Sequence, residues 1–189
     1  MINAAILKER RLAAKEAKDG RVAETERLKA RLARARDKRV PFYLTRDEFL
    51  EICRWQLGEQ YARAAHLLEA SSDRRIRRIS RLAFAFKDKE AQFELAARLA
   101  ILRLLPGVGL GVASAILALC HPKKYAPLDA SAWQALFDEQ RDGLQVSDYE
   151  RYLARVGELE AEVRSLDAKG RWCPQLVAYY AAQPDRNPA

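Results

Sequence analysis

Apolar residues recur at intervals of three and four along most of this chain, which is the period of an amphipathic α-helix. No stretch alternates strictly between apolar and polar residues for long enough to indicate a β-strand. Alanine and leucine are abundant, whereas only 8 glycines and 7 prolines occur in 189 residues. The pattern and the composition together predict an all-α fold.

The main domain is expected to begin after Val40-Pro41 and to cover residues 41–189. Thr45 and Glu48 form a capping box that opens its first helix, and Ser147 and Glu150 form a second box further on. The predicted helices cover about 45–68, 73–86, 88–104, 111–119, 130–137, 147–166 and 174–182. The side chains expected in the core include Phe49, Ile52, Leu68, Ile76, Phe93, Leu104, Val112, Ile116, Tyr152, Val156, Leu166, Val177 and Tyr180.

Residues 1–40 form a separate helical arm in this prediction, which Asp19-Gly20 divides into two helices. The arm carries a net charge of +7, against +1 for the rest of the chain. A positive field of this kind favours a polyanion, nucleic acid first. The arm either follows DNA or packs on the core as a helix pair, because it has only a thin apolar stripe, formed by Ile6, Leu12, Val22, Leu28 and Leu32.

Composition also limits the classes of function. No run of about 18 apolar residues occurs, and the charged start is unlike a signal peptide, so we expect a cytoplasmic monomer with no membrane partner. The three cysteines are widely spaced and the chain has only two histidines. Metal clusters and a catalytic triad of serine, histidine and aspartate are therefore not expected.

The segment most informative about function runs from residue 102 to residue 136. A helix ends near Leu105, and Pro106 and Gly107 cannot continue it. Gly109 allows close approach of the backbone, and an apolar helix begins near Gly111. This arrangement of helix, tight turn and helix leaves bare backbone amides at a helix N-terminus, where an anion such as a DNA phosphate binds.

The sequence Leu105-Pro106-Gly107-Val108-Gly109, followed at the expected spacing by Asp129, resembles the helix-hairpin-helix DNA glycosylase superfamily related to endonuclease III. The resemblance covers about 35 residues. It implies a hairpin over about 102–119 and a catalytic aspartate loop over 121–130. It also implies that double-stranded DNA is the partner.

Three departures from the family pattern change what the resemblance implies. Gly111 stands where members with lyase activity carry a lysine, and the four-cysteine cluster loop is absent. The threonine and histidine that usually follow the aspartate are replaced by Ala130 and Ser131. The chain therefore resembles a divergent, monofunctional glycosylase without a cofactor or metal.

Asp129 is the expected catalytic residue, because a carboxylate stabilises the positive charge that develops on the sugar when an N-glycosidic bond breaks. The alternative role of Asp129 is to cap the following helix. The expected DNA contacts are Leu105, Gly107, Val108, Gly109, Gly111, Lys123 and Lys124, and the candidate pocket residues are Tyr43, Trp55, Gln56 and Trp133. For the two tryptophans packing in the core is the alternative, and for the two lysines simple solvation.

The predicted activity is hydrolysis of a modified or damaged base from DNA, which leaves an abasic site. One possible substrate is a hypermodified phage base such as glucosylated hydroxymethylcytosine, excised in antiviral defence. Two alternatives remain: a non-enzymatic helix-hairpin-helix module that binds DNA, and an interaction protein whose arm coils with a partner.

Overall fold

The computed structural model describes residues 2–141 and 143–183. Within these ranges the chain forms ten α-helices, one 3-10 turn and no strand, which confirms the all-α prediction. The helices are Ala4–Glu16 (α1), Gly20–Lys38 (α2), Arg46–Leu57 (α3), Tyr61–Glu69 (α4), Asp73–Ala85 (α5), Ala91–Leu102 (α6), Leu110–Cys120 (α7), Ala130–Phe137 (α8), Val146–Leu166 (α9) and Pro174–Ala181 (α10). None of these helices is long and apolar enough to cross a membrane.

The centre of the fold is α7, which is buried on all sides. Every residue in 112–120 is buried, and α7 packs against α2, α3 and α6. Apart from Ser114 and Cys120, its side chains are apolar. A helix that is apolar all round requires neighbours on every face, so the surrounding helices pack around α7.

The helix predicted over 45–68 is two helices. The capping box of Thr45 and Glu48 is present. Gly58, however, has a φ of +52°, and a 3-10 turn, Gly58–Gln60, separates α3 from α4. The left-handed φ is accessible to glycine at little cost, and it interrupts a periodicity that continues through the sequence.

Some predicted core positions and one predicted cap are wrong. Phe93 and Leu104 are 55% and 60% exposed, because α6 turns Leu95 and Leu99 inward and ends before Leu104. Leu166 is also exposed. The cap of α9 is formed by Gln145 and Asp148 rather than by Ser147 and Glu150.

The N-terminal segment packs on the rest of the chain. The predicted break is present, with Asp19 capping the first turn of α2. Helix α1 lies against α9 and α10, and α2 lies against α7. Leu28 and Leu32 are buried as expected, whereas Leu12 is exposed and Leu7 takes the inward position. The buried part of the apolar stripe is thus used within the chain, whereas Leu12 is not.

Some basic side chains of this segment also point inward. Arg10 donates hydrogen bonds of 2.9 Å to the carbonyl oxygens of Tyr180 and Ala181, at the end of α10. Arg36 donates a 2.8 Å hydrogen bond to the carbonyl oxygen of Cys120, at the end of α7. Cations at helix C-termini satisfy free carbonyls and interact favourably with the helix dipole. The basic residues of α1 and α2 therefore help to hold the segment on the core.

Replacing Leu7 with alanine tests this packing against an exposed leucine on the same helix. Leu7 is 0% exposed and Leu12 is 50% exposed. We expect Leu7→Ala to lower the free energy of unfolding by about 2–5 kcal/mol and Leu12→Ala to change it by less than about 0.5 kcal/mol. Urea denaturation followed by circular dichroism measures both, and equal small effects would contradict the packing of α1.

Candidate functional site

The turn between α6 and α7 is a tight hairpin stabilised by glycine. The backbone amide of Val108 donates a 3.1 Å hydrogen bond to the carbonyl oxygen of Leu105. Pro106 occupies the second position of this turn, and Gly107 has a φ of +77° in the third. This is the pattern of a type II turn. A Cβ on Gly107 would also press against Leu67 and Leu68 of α4 at 3.0–3.1 Å, so this glycine is required by the fold.

Helix α7 begins directly after the hairpin without a side-chain cap. Gly109 is the N-cap residue and has an extended backbone conformation. Gly109 and Gly107 are exposed, whereas Leu105 and Val108 are buried and anchor the turn. The first backbone amides of α7 therefore have no side-chain cap, while the two buried apolar residues can only position the turn.

The loop that leads to Asp129 is held against the first turns of α7. Ser114 Oγ donates a 2.7 Å hydrogen bond to the carbonyl oxygen of Gly111 and accepts a 2.9 Å hydrogen bond from the amide of Leu128. Gln56 Nε2 donates to the carbonyl oxygen of Leu128 at 3.3 Å. A Cβ on Gly111 would lie 3.3 Å from that same carbonyl oxygen. The hairpin helix and the aspartate loop thus form one unit.

Two buried tyrosines of α9 hold the loop from the other side. Tyr149 donates a 2.8 Å hydrogen bond to the carbonyl oxygen of Ala126, and Tyr152 donates a 2.9 Å hydrogen bond to that of Pro127. Their hydroxyls satisfy carbonyls that burial would otherwise leave without a partner. The backbone before Asp129 is consequently fixed from α3, α7 and α9.

Asp129 is the N-cap of α8 and also faces a cavity. Its Oδ1 accepts a 2.7 Å hydrogen bond from the amide of Ala132. Burial raises the pKa of this carboxyl group, while the hydrogen bond from Ala132 and the positive charge of Arg21 act in the opposite direction. The capping role and a role in the cavity are therefore compatible.

The cavity in front of Asp129 has a volume of about 510 Å³. Its walls come from the start of α2, the end of α3 with the following 3-10 turn, the aspartate loop and the end of α10. The lining residues are Arg21, Trp55, Gln56, Leu57, Gly58, Glu59, Gln60, Pro127, Asp129, Ser131, Tyr179, Ala182 and Gln183. Two of the four predicted pocket residues, Trp55 and Gln56, lie in this wall together with the predicted catalytic aspartate.

Trp55 is a fixed wall of the cavity. Its side chain is largely buried, and its Nε1 donates a 2.9 Å hydrogen bond to Thr25 Oγ1 on α2. Thr25 Oγ1 in turn donates to the carbonyl oxygen of Arg21 at 2.7 Å. The indole is therefore locked by the N-terminal segment, so its polar edge is already used within the protein.

The other two predicted pocket residues lie elsewhere. Tyr43 packs beside the guanidinium groups of Arg39, Arg77 and Arg81, each 5.0–5.2 Å from its ring centre. Trp133 is 1% exposed and packs against Phe137, with the two rings tilted by 38°. Neither lines the cavity. Trp133 is four residues from Asp129, but the inner face of α8 points to the core at that position.

The two candidate lysines lie at the far end of α7 from the hairpin. The 11 residues of α7 correspond to about 16 Å. Both side chains are exposed, but Lys124 Nζ lies 2.9 Å from Glu94 Oε1 and forms an ion pair with it. Lys124 therefore links the loop to α6.

Three residues important to this site were missed by the sequence interpretation. Arg21 lies 108 positions before Asp129 in the sequence and Tyr179 lies 50 positions after it, and no periodicity connects either residue to the motif. Ser114 had a detectable signal, because it is a lone hydroxyl in the otherwise apolar helix α7.

Comparison of the chain with family models, with curated proteins and with solved structures finds no match.

Replacing Ser114 with alanine tests the linkage between α7 and the aspartate loop. The change leaves the buried amide of Leu128 without a partner, so we expect the free energy of unfolding to fall by about 1–3 kcal/mol. Ser165→Ala is the control, because Ser165 also donates to a carbonyl three residues earlier but is exposed. Thermal denaturation compares the two variants, and a loss no larger than that of Ser165→Ala would contradict the linkage.

Proposed function

We propose that this protein is a monofunctional DNA glycosylase of the helix-hairpin-helix type, which hydrolyses a modified or damaged base from double-stranded DNA. The observation that carries the proposal is the position of Asp129: a rigidly held carboxylate faces a cavity, and its loop is hydrogen-bonded to the helix that begins at the hairpin. A glycosylase needs these two features side by side, because it must bind the backbone of a DNA strand and place a nucleotide of that strand in the cavity.

The chemistry of the reaction suits this carboxylate. As the N-glycosidic bond breaks, positive charge develops on the deoxyribose, and an ionised Asp129 would stabilise it or help a water molecule to attack. The hydrogen bond from the amide of Ala132 fixes one carboxylate oxygen. A group held in this way needs little reorganisation during the reaction.

The hairpin would supply sequence-independent binding. The uncapped amides at the start of α7 and the helix dipole favour a phosphate group. Gly111 offers no amine in place of the lysine of lyase members, which supports simple hydrolysis that leaves an abasic site. A hypermodified phage base such as glucosylated hydroxymethylcytosine is one candidate substrate, and mass spectrometry of the bases released from differently modified DNAs identifies the one used.

Asp129→Asn tests the catalytic role directly. Asparagine keeps the cap of α8, so the fold should persist while base release falls by about 100-fold or more. Alkali cleavage of the treated DNA measures the abasic sites formed. Near wild-type turnover in the variant would overturn the assignment, and no base release from any modified DNA by a wild-type protein that binds it would favour a non-enzymatic binding module.

The acid limb of the pH profile gives a further check on Asp129. Because burial raises its pKa above the ordinary 3.8, the carboxylate should lose its charge at a higher pH than a solvated aspartate does. We therefore expect base release to decline as the pH falls, with a midpoint above 3.8. A midpoint at or below the ordinary value would show that the group responsible is not a buried carboxyl.

Gly109→Asp separates phosphate binding from folding. Aspartate is a favoured N-cap residue, and a Cβ at Gly109 meets nothing within 4 Å, so the protein should fold at least as well. Its carboxylate would occupy the amides of α7 and repel phosphate, so we expect DNA affinity to fall about tenfold or more. Gly109→Ala is the control with affinity near wild type, and an unchanged affinity of the aspartate variant would contradict phosphate binding at this helix end.

A further inference from the structure

The N-terminal segment supplies one wall of the cavity and its positive charge. Among the described residues that line the cavity, Arg21 is the only lysine or arginine, whereas Asp129 and Glu59 both contribute carboxylates. Arg21 is exposed, so its guanidinium lies where a ligand enters. Without this side chain, the described part of the cavity would carry negative charge alone.

The backbone of Arg21 is fixed by a set of hydrogen bonds that joins the two ends of the chain. Asp19 Oδ1 accepts a 2.9 Å hydrogen bond from the amide of Arg21. Tyr179 of α10 donates a 2.8 Å hydrogen bond to Asp19 Oδ2. Burial opposes the charged form of Asp19, but these hydrogen bonds lower its pKa below the ordinary value, so it stays ionised. The first turn of α2 is thereby held at the mouth of the cavity.

The guanidinium itself is directed by Trp55. It lies 6.0 Å from the centre of the indole ring, and its Nη2 donates a 3.5 Å hydrogen bond to the carbonyl oxygen of Trp55. Since the indole is locked to Thr25 on the same helix, Arg21 and Trp55 form one side of the cavity. These weak contacts leave other donors of the guanidinium fork for a ligand.

A nucleotide that enters this cavity brings its phosphates to the mouth. The carboxylates of Asp129 and Glu59 repel phosphates, so a positive charge beside these carboxylates would favour DNA binding. An arginine fork matches the geometry of a phosphate and forms strong charge-assisted hydrogen bonds. The N-terminus of α2, one residue before Arg21, adds to the positive potential.

We propose that Arg21 binds the DNA phosphate adjacent to the extruded nucleotide, so that α2 belongs to the DNA-binding site. The inference rests on the proposed function, because it assumes that a DNA nucleotide enters the cavity. It assigns a specific role to a segment that the hairpin motif does not include. The segment contacts one defined phosphate and does not merely provide a diffuse positive field.

The test combines a protein variant with a neutral phosphate. Fluorescence anisotropy measures the affinity of full-length wild type and Arg21→Gln for a duplex that carries one tetrahydrofuran abasic-site analogue. Duplexes with a single methylphosphonate on either side of the analogue remove one charge at a time. We expect Arg21→Gln and one of the two methylphosphonates each to weaken binding about tenfold, and together to weaken it little more than either alone.

Arg34→Gln is the matched control. Arg34 is an exposed arginine of the same helix, but it lines a different groove, so the change removes an equal charge away from the cavity. Its effect on affinity should be small, and it should add to that of each methylphosphonate. Arg21→Lys should recover part of the affinity that Arg21→Gln loses. Additive losses for Arg21→Gln with both methylphosphonates would overturn the proposal, as would losses equal to those of Arg34→Gln.

The outcome is distinguishable from failure of the proposed function. Binding of the abasic analogue requires no base release, so coupling between Arg21 and one phosphate would stand even if Asp129→Asn left base release unchanged. Absence of any DNA binding by the wild-type protein would overturn both proposals. Circular dichroism of the variants excludes unfolding as the cause of a lost affinity.

Discussion

The polar groups of the buried backbone before Asp129 determine which helices must pack around it. Carbonyls and an amide of residues 126–128 lie inside the protein, where each needs a hydrogen-bond partner. Ser114, Tyr149, Tyr152 and Gln56 provide those partners from α7, α9 and α3. Three helices that are distant in sequence are thus required to meet at one loop. Their hydrogen bonds fix the backbone that leads to the carboxylate of Asp129.

The N-terminal segment has two physical roles that its composition does not separate. Its buried leucines complete the apolar surroundings of α7 and of α9 with α10, and Arg10 and Arg36 cap the ends of neighbouring helices. Arg21, by contrast, faces the cavity beside Asp129. A net charge of +7 over residues 1–40 therefore includes cations used inside the fold as well as cations open to a ligand.

Asp129 illustrates why a structural and a functional role need not exclude each other. The N-cap hydrogen bond uses one carboxylate oxygen, and the same bond orients the group toward the cavity. Burial disfavours its charge, whereas the helix start and Arg21 favour it. The balance between these effects is a property of the whole site, because Arg21 reaches Asp129 from a helix more than 100 positions earlier in the sequence.

The features that could be predicted from the sequence are local. The helical periodicity, the break at Asp19-Gly20, the Thr45 cap and the turn at Pro106-Gly107 all depend on neighbouring residues, and the structure contains each of them. Trp55 and Gln56 are consecutive within a predicted helix, but the sequence did not show that only these two predicted pocket residues face the cavity.

Packing between helices sets which face of each helix is inward and which distant side chains meet. Leu7 rather than Leu12 is buried because α1 packs on α9 and α10, and several registers fit the same apolar spacing. Arg21 reaches the cavity, and Tyr43 does not, because contacts between residues far apart in sequence set the positions of α2 and α5. Such contacts depend on packing and burial over the whole chain, which a local pattern of residues does not contain.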